Sequence, residues 1–289
     1  MSFKERYQIV STLGKFSISF PVGFTAFLGY VVVKQAFDIY SLAVFAGIFL
    51  LSSAASLLNQ IQEHKIDALM RRTSKRPLPS ALLSLGEAGV IGGIFFILGC
   101  LILYFVNLEA LFWGIMGLVW YNFIYTPLKR VTAFSVFPGA VVGAIPPIAG
   151  WMAAGGEFWD INLLLFAFFF FIGQMPHFWL LVIKYGDQYS DAGLPSLTKL
   201  FSIDQIMRIN MVWLWASFVS AFFFTVSKLI QSPIVSILLI VSTLVMMVWA
   251  LYITFFDART HEQKIRPMFI YFNSYYLWVM MLFILDVLI

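Results

Sequence analysis

A polar segment from residue 59 to residue 77 interrupts a chain that is otherwise mostly apolar. Within it, Asn59, Glu63 and Asp67 repeat at intervals of four residues. If the preceding helix continues through them, successive members are offset by about 40° around its axis, so all three side chains share one face. Amide and carboxylate oxygens are ligands that Mg²⁺ accepts in proteins, often together with substrate phosphates. The spacing therefore predicts a row of catalytic metal ligands for a magnesium-bound diphosphate.

Four cations follow this row, at Arg71, Arg72, Lys75 and Arg76. Such cations can be ordinary anchors that are attracted to anionic lipid at the inner membrane surface. However, the planar guanidinium group matches phosphate oxygens in a two-pronged geometry. We therefore predict that Arg72 and Arg76 bind diphosphate, and that Arg71 and Lys75 are anchors.

A second polar cluster follows the sixth apolar stretch. Its members Lys184, Asp187 and Asp191 are three and four residues apart, which places them on one face of a helix. They could be solvated loop charges. Alternatively, two carboxylate rows facing each other could bind an anion through Mg²⁺, because the metal reverses the sign of the local field. We predict that Asp187 and Asp191 are catalytic metal ligands and that Lys184 contacts the substrate.

Two further groups are candidates for substrate binding. Tyr125, Lys129 and Arg130 end the fourth apolar stretch; they could contact phosphate, or be a membrane-edge tyrosine followed by a topology signal. His177 lies within an apolar stretch, where a titratable side chain is a functional candidate. It could ligate or stack on a flat aromatic substrate, accept a proton, or cap a kink at Pro176.

These residues belong to a chain whose composition excludes an ordinary soluble protein. Of its 289 residues, 61% are hydrophobic and 11% are charged, and the mean hydropathy is +0.91. A helix of about 20 apolar residues crosses the ~30 Å hydrocarbon core of a bilayer. Runs of this kind predict an all-α, polytopic bundle of nine transmembrane helices. The predicted spans are 13–34, 40–60, 84–106, 109–126, 133–153, 160–183, 206–228, 233–255 and 268–289.

The order of the spans suggests a repeat. Each polar cluster ends a span, and four spans separate the two clusters. We predict one transmembrane domain over residues 1–289, with similar halves at about 13–126 and 133–255 and a ninth helix at 268–289.

The cations predict the orientation of the chain. With the N-terminus inside, every Lys and Arg except Lys34 and Lys228 falls in an inner segment, as the positive-inside rule requires. The net charge of +4 reflects this asymmetry, and the basic residues have no features that read nucleic acid. No Arg/Ser-rich presequence precedes the first span, which favours a bacterial plasma (inner) membrane. We expect a cytoplasmic N-terminus, an external C-terminus and no nucleic-acid partner.

The two acidic motifs resemble those of a known family. Asn59-xxx-Glu63-xxx-Asp67 is similar to the first motif of the UbiA-type intramembrane prenyltransferases, and Asp187-xxx-Asp191 is similar to the second. The family usually has Asp where this chain has Glu63, whose longer side chain shifts the metal by about a methylene. The resemblance covers essentially the whole chain and implies a nine-helix bundle with a central cavity capped on the cytoplasmic side.

Within that superfamily the chain looks most like the heme O synthases. The segments that carry this likeness are Asp67-Ala-Leu-Met-x-Arg72-Thr73-x-x-Arg76-Pro77, Pro146-Pro147-x-x-Gly150-Trp151, Pro176-His177-Phe178-Trp179 and Tyr189-x-x-Ala192-Gly193. The resemblance implies Mg²⁺ as cofactor, farnesyl diphosphate and heme b as substrates, and Tyr189 as a substrate contact. It further implies that the product passes to heme A synthase or to heme-copper oxidase assembly.

Two other functions are compatible with part of the pattern. A UbiA-type enzyme that prenylates a quinone precursor, such as 4-hydroxybenzoate or a naphthoate, would share the diphosphate site and differ only in its acceptor pocket. A membrane transporter would be expected to place charges or broken helices at the midplane. Because the acidic residues of this chain collect at the inner surface, the sequence favours the enzyme.

Overall fold

The computed structural model describes residues 2–227 and 229–289. Lys228, one of the two cations predicted to be external, therefore lies outside the described residues. All regular secondary structure in these ranges is helical. The helices are α1 Phe3–Leu13, α2 Phe16–Lys34, α3 Ile39–Leu69, α4 Leu85–Val106, α5 Leu108–Leu128, α6 Ala133–Ala153, α7 Ile161–Asp191, α8 Ile203–Val226, α9 Pro233–Phe255 and α10 His261–Leu288.

Within the described ranges, nine helices, α2 to α10, are long and apolar enough to cross a membrane. The predicted all-α class and the nine predicted spans are thus confirmed. Side-chain caps define where several of them begin: Asp38 accepts a hydrogen bond from the backbone N–H of Ser41 at 2.8 Å, and Ser84, Ser202 and Thr260 cap α4, α8 and α10 in the same way. Such caps satisfy N–H groups that have no partner inside the helix.

The two helices that carry the acidic motifs extend well beyond the predicted apolar runs. The second span, predicted at 40–60, continues as helix to Leu69, and the sixth, predicted at 160–183, continues to Asp191. Both extensions contain the polar motifs, so their side chains follow helical spacing. The apolar runs marked the bilayer-spanning part, and the helices continue past it.

The chain forms two compact units. The first comprises Met1–Thr132, Ile145–Gly156 and Gln188–Pro195, and the second comprises Ala133–Ala144, Glu157–Asp187 and Ser196–Ile289. The single domain and the two similar halves proposed from the sequence stay predictions.

In the first unit, α3 packs against α2 and α4. A close approach between α2 and the Ile145–Gly156 segment depends on two glycines. A Cβ atom on Gly29 would overlap the carbonyl oxygen of Pro147, and one on Gly150 would overlap the carbonyl oxygen of Ala26. Only glycine leaves room for this backbone contact.

The core of the second unit is strongly aromatic. Phe169 stacks on Tyr276 with ring centroids 4.4 Å apart, and Phe166, Phe224 and Phe283 meet edge to face or tilted around them. The Tyr276 hydroxyl donates a hydrogen bond to the carbonyl oxygen of Phe169 at 2.9 Å. These contacts join α7, α8 and α10 within the unit.

Candidate active site

The predicted ligand row lies on one buried face of α3. Asn59, Glu63 and Asp67 are 3%, 5% and 3% exposed, whereas Lys65 and Ala68 on the same helix are exposed. The prediction that the helix continues through Asn59, Glu63 and Asp67 is therefore confirmed, and the helix ends at Leu69. Carboxylates are rarely this buried unless they are paired or bind a cation.

Both carboxylates are paired with cations that the sequence had marked for phosphate. Arg76 Nη1 lies 2.6 Å from Asp67 Oδ2, and Lys129 Nζ lies 2.7 Å from Glu63 Oε2. The two cations come from the turn after α3 and from the end of α5. The structure thus brings these four predicted residues together, with opposite charges in contact.

Asn59 links three elements around the row. Its Nδ2 donates to Glu63 Oε2 at 2.9 Å and to Thr126 Oγ1 at 3.1 Å. Its Oδ1 accepts from the Tyr121 hydroxyl at 3.3 Å and from Lys15 Nζ at 3.4 Å. The amide of Asn59 is thereby held in one orientation by α2, α3 and α5.

Lys15 is a site residue that the sequence interpretation missed, since it read this side chain only as an inner cation. It stands at the break between α1 and α2 in a left-handed backbone conformation, with φ of 44° and ψ of 51°. That conformation is costly for a residue with a Cβ and is often found at functional sites. Burial, together with the charges of Arg76 and Lys129, lowers the pKa of Lys15 to about 7, while Glu63 and Asp67 act in the opposite direction.

A π-helical turn places two tyrosines at the row. Trp120–Tyr125 within α5 is π-helical, a distortion that often occurs at functional sites. The rings of Tyr121 and Tyr125 are 5.6 Å apart, and Lys129 Nζ lies 5.6 Å from the centre of the Tyr125 ring. Tyr125 was predicted from its position near Lys129, but Tyr121 was not predicted.

The remaining predicted residues of the first unit take no part in the ion pairs of the ligand row. Arg72 donates through Nη2 to the Tyr189 hydroxyl at 3.4 Å, and its backbone N–H donates to Gln188 Oε1 at 3.2 Å. Arg130 Nη2 donates to the carbonyl oxygen of Gln62 at 2.8 Å and so ties α5 to α3. Asp191 is exposed at the end of α7.

Three predicted residues belong to the second unit. His177 is half-buried, with its ring centre 4.8 Å from that of Phe269. Lys184 and Asp187 are exposed, and Lys184 Nζ lies 5.3 Å from the centre of the Tyr185 ring. The expectation that the two acidic rows face each other stays a prediction.

The donor set on α3 fits a hard divalent cation. Glu63 Oε1 is buried and has no hydrogen-bond partner among the described residues, which leaves one carboxylate oxygen available to a cation. Within the same residues, no three His, Cys, Asp or Glu side chains converge on one point. The candidate set is therefore two carboxylates and an amide oxygen, and Mg²⁺ would complete its shell with water and substrate oxygens.

The chain is similar in sequence to known proteins. Residues 13–274 match the UbiA prenyltransferase family. The chain is 39% identical to a protoheme IX farnesyltransferase of Geobacter sulfurreducens, over 61% of this chain and 65% of that protein. It is 32% identical to a protoheme IX farnesyltransferase of Flavobacterium johnsoniae, over 99% of this chain and 96% of that protein. The first alignment thus spans just under two thirds of the relative's length.

Solved structures share its fold. A UbiA homolog from Aeropyrum pernix K1 superimposes with a TM-score of 0.75 at 18% identity, covering 94% of this chain and 98% of that one. A UbiA homolog from Archaeoglobus fulgidus bound to GPP and Mg²⁺ gives a TM-score of 0.67 at 15% identity, covering 97% and 100%. At these identities the likeness establishes the fold.

Proposed function

Because this chain belongs to the UbiA prenyltransferase family, we propose that it transfers the farnesyl group of farnesyl diphosphate to a vinyl group of heme b, forming heme O. The observation that carries the reaction class is the buried row Asn59, Glu63 and Asp67, with Lys129 and Arg76 bonded to its carboxylates. Support for the acceptor comes from the relatives named protoheme IX farnesyltransferase, which are 32% to 39% identical to this chain.

We infer that Asn59, Glu63 and Asp67 hold Mg²⁺, with Asp187 and Asp191 as the second pair of ligands. When bound, the metal would neutralise diphosphate oxygens and make diphosphate a better leaving group. The UbiA homolog from Archaeoglobus fulgidus was solved bound to GPP and Mg²⁺. The free oxygen of Glu63 supports this assignment from the chain itself.

The cationic side chains of the site stabilise the leaving diphosphate in this mechanism. In the structure, Arg76 and Lys129 compensate the carboxylates. Once the carboxylates bind a cation, these side chains can turn to the diphosphate oxygens. Lys15 at Asn59 and Arg72 at Tyr189 are two further cations of the same unit. Positive groups placed where negative charge develops stabilise the departing diphosphate. Breaking the allylic C–O bond then leaves a farnesyl cation.

The farnesyl cation has to react with the acceptor before it reacts with water. The rings of Tyr121 and Tyr125 beside the row can stabilise a cation through their faces. The vinyl group of heme b then forms the new C–C bond, and water adds to the resulting cation with loss of a proton, giving a hydroxyethylfarnesyl side chain. Lys184, Tyr189 and Arg130 remain candidates for substrate contact.

The direct test is product identification. Purified protein is incubated with Mg²⁺, farnesyl diphosphate and either heme b or 4-hydroxybenzoate, and the products are identified by mass. We expect heme O from heme b and no prenylated 4-hydroxybenzoate. Prenylation of 4-hydroxybenzoate alone would instead support the quinone-precursor function.

His177 is the candidate contact for the porphyrin or its iron. We expect His177→Ala to raise the KM for heme b at least severalfold and to leave the KM for farnesyl diphosphate nearly unchanged, because a side chain that contacts heme b does not contact the diphosphate. The His177 ring packs on Phe269, so Phe269→Leu is a control for lost packing. Equal changes in both KM values would remove the special role of His177.

A further inference from the structure

A cavity with polar residues in its lining lies in the second unit, where α8 and α10 begin and α9 ends. Its volume is about 650 Å³. The lining residues that matter here are Asp204 and Arg208 from α8, Ile253 from α9, and His261 and Lys264 from α10. Asp204 and Arg208 are four residues apart, and His261 and Lys264 are three apart, so each pair lies on one helix face. Two short rows of polar groups thus border the cavity.

Lys264 is the most informative of these residues. Its side chain lines the cavity, yet the residue is only 8% exposed. In the described part of the chain, no hydrogen bond or ion pair to its ammonium group is found. A lysine side chain with so little exposure usually bonds an anion through its ammonium group.

The neighbouring carboxylates are already engaged. Asp204 Oδ1 lies 2.5 Å from His261 Nε2, and Asp257 Oδ2 lies 2.7 Å from Arg259 Nη2. Asp257 also interacts electrostatically with Lys264. Neither Lys264 nor Arg208, which line the same cavity, forms a hydrogen bond or an ion pair with a carboxylate among the described residues. Lys and Arg side chains that line one cavity can bind phosphate oxygens.

Apolar side chains also line the cavity. Met207 and Ile253 line it and are 5% and 1% exposed. A ligand that fits both sides carries a phosphate next to an apolar portion. The same helix ends carry Arg259, Lys264 and Arg266, which the positive-inside rule assigns to the cytoplasmic surface, where anionic headgroups are concentrated.

We propose that this cavity binds the phosphate of an anionic phospholipid. Lys264 and Arg208 bind the phosphate oxygens, and the part of an acyl chain nearest the glycerol packs against Met207 and Ile253. The site goes beyond the prenyl transfer proposed above and does not depend on it. Soluble inorganic phosphate offers the same oxygens without the apolar portion, so the two sources can be told apart.

The test measures lipid binding to the intact, delipidated protein in detergent by native mass spectrometry. Phosphatidylglycerol, phosphatidylcholine and inorganic phosphate are titrated separately against the unmodified protein and the variants Lys264→Met and Arg208→Gln. Arg266→Gln is the matched control, because Arg266 is an exposed cation two residues beyond Lys264 that does not line the cavity. Arg208 is itself exposed, so Arg208→Gln should fold and still tests the site if Lys264→Met does not fold.

We expect phosphatidylglycerol to bind more tightly than phosphatidylcholine. Lys264→Met and Arg208→Gln should each weaken that binding about tenfold, the loss expected for one charge-assisted hydrogen bond, while Arg266→Gln changes it less than twofold. If only inorganic phosphate binds with this dependence on the two residues, the phosphate site stands and its ligand is soluble phosphate. Unchanged phosphatidylglycerol and phosphate binding in both variants would overturn the proposal.

Discussion

The buried carboxylates of Glu63 and Asp67 each have a cation within hydrogen-bonding distance, and this pairing determines how the site responds to substitution. Removing one partner from a buried ion pair leaves an uncompensated charge, which is usually more harmful than replacing the whole pair. Glu63 and Lys129, and likewise Asp67 and Arg76, should therefore behave as pairs in mutational experiments. Both carboxylates also remain our proposed metal ligands.

The first prediction concerns Asp67. We expect Asp67→Asn to lower kcat at least ~100-fold, since the amide keeps the shape but loses the charge needed for a metal and its diphosphate. The rate of farnesyl transfer at saturating Mg²⁺ is the measurement. Glu109→Gln, at an exposed carboxylate in the first turn of α5, is the control and should keep full activity. Full activity in Asp67→Asn would contradict the site assignment.

The second prediction concerns Tyr121, whose hydroxyl bonds to Asn59 Oδ1. We expect Tyr121→Phe to raise the Mg²⁺ concentration for half-maximal activity about tenfold, because groups that orient metal ligands typically affect affinity by 10- to 100-fold. Activity is measured as a function of Mg²⁺. Tyr104→Phe alters an exposed tyrosine on α4 and should leave the curve in place. A loss of kcat without any shift in the Mg²⁺ curve would exclude this orienting role.

At the residue scale, sequence spacing predicted that Asn59, Glu63 and Asp67 share one helix face, but it assigned Arg76 and Lys129 to diphosphate and not to ion pairs with that row. Asn59, Glu63 and Asp67 follow from helical periodicity, and Arg76 and Lys129 from charge next to that row. Lys15 and Tyr121 reach Asn59 through the packing of α2 and α5 against α3, which no local pattern reports. The position of Lys15 at the start of the first span was visible in the sequence, but the positive-inside rule was a sufficient explanation for a cation there.

At the scale of elements, the apolar runs located every span, and the helix ends were less accurate. The polar ends of α3 and α7 are helical because their side chains have partners or solvent beyond the hydrocarbon, which hydropathy does not register. The helix α1, polar and exposed over much of its length, has no long apolar run, and the π-helical turn in α5 has no sequence signal of its own. Both features border the candidate site.

The third prediction concerns packing between α2 and α6. We expect Gly150→Ala to destabilise the protein by about 1–3 kcal/mol, the usual cost of adding a methyl group where there is no space, because its Cβ would overlap the backbone of Ala26. Thermal unfolding in detergent is the measurement. Gly93→Ala is the matched control on α4, since nothing lies within 4 Å of its Cβ; it should be neutral or slightly stabilising. Equal melting temperatures for the two variants would contradict the close approach.

At the scale of the whole molecule, the fold class and the number of spans follow from composition and length, because a bilayer admits so few architectures. Orientation is a separate matter. It rests on the distribution of Lys and Arg, and the proposed chemistry at the inner surface depends on it.

The fourth prediction tests this orientation. In a background with Cys100→Ser, we expect Ser74→Cys to react with a membrane-impermeant maleimide only after the cells are opened, and Phe37→Cys to react in intact cells. Ser74 follows α3 and Phe37 precedes it, so the two positions flank one span. The Cys100→Ser protein itself, which then has no cysteine, is the control. The opposite labelling pattern would place the candidate site outside.

The ion pairs of the ligand row have a consequence for biogenesis. Since Lys129 and Arg76 already balance Glu63 and Asp67, burial of these two carboxylates during folding needs no metal ion as a counter-charge. With Mg²⁺ held by the row as proposed, chelators should stop prenyl transfer reversibly without unfolding the protein.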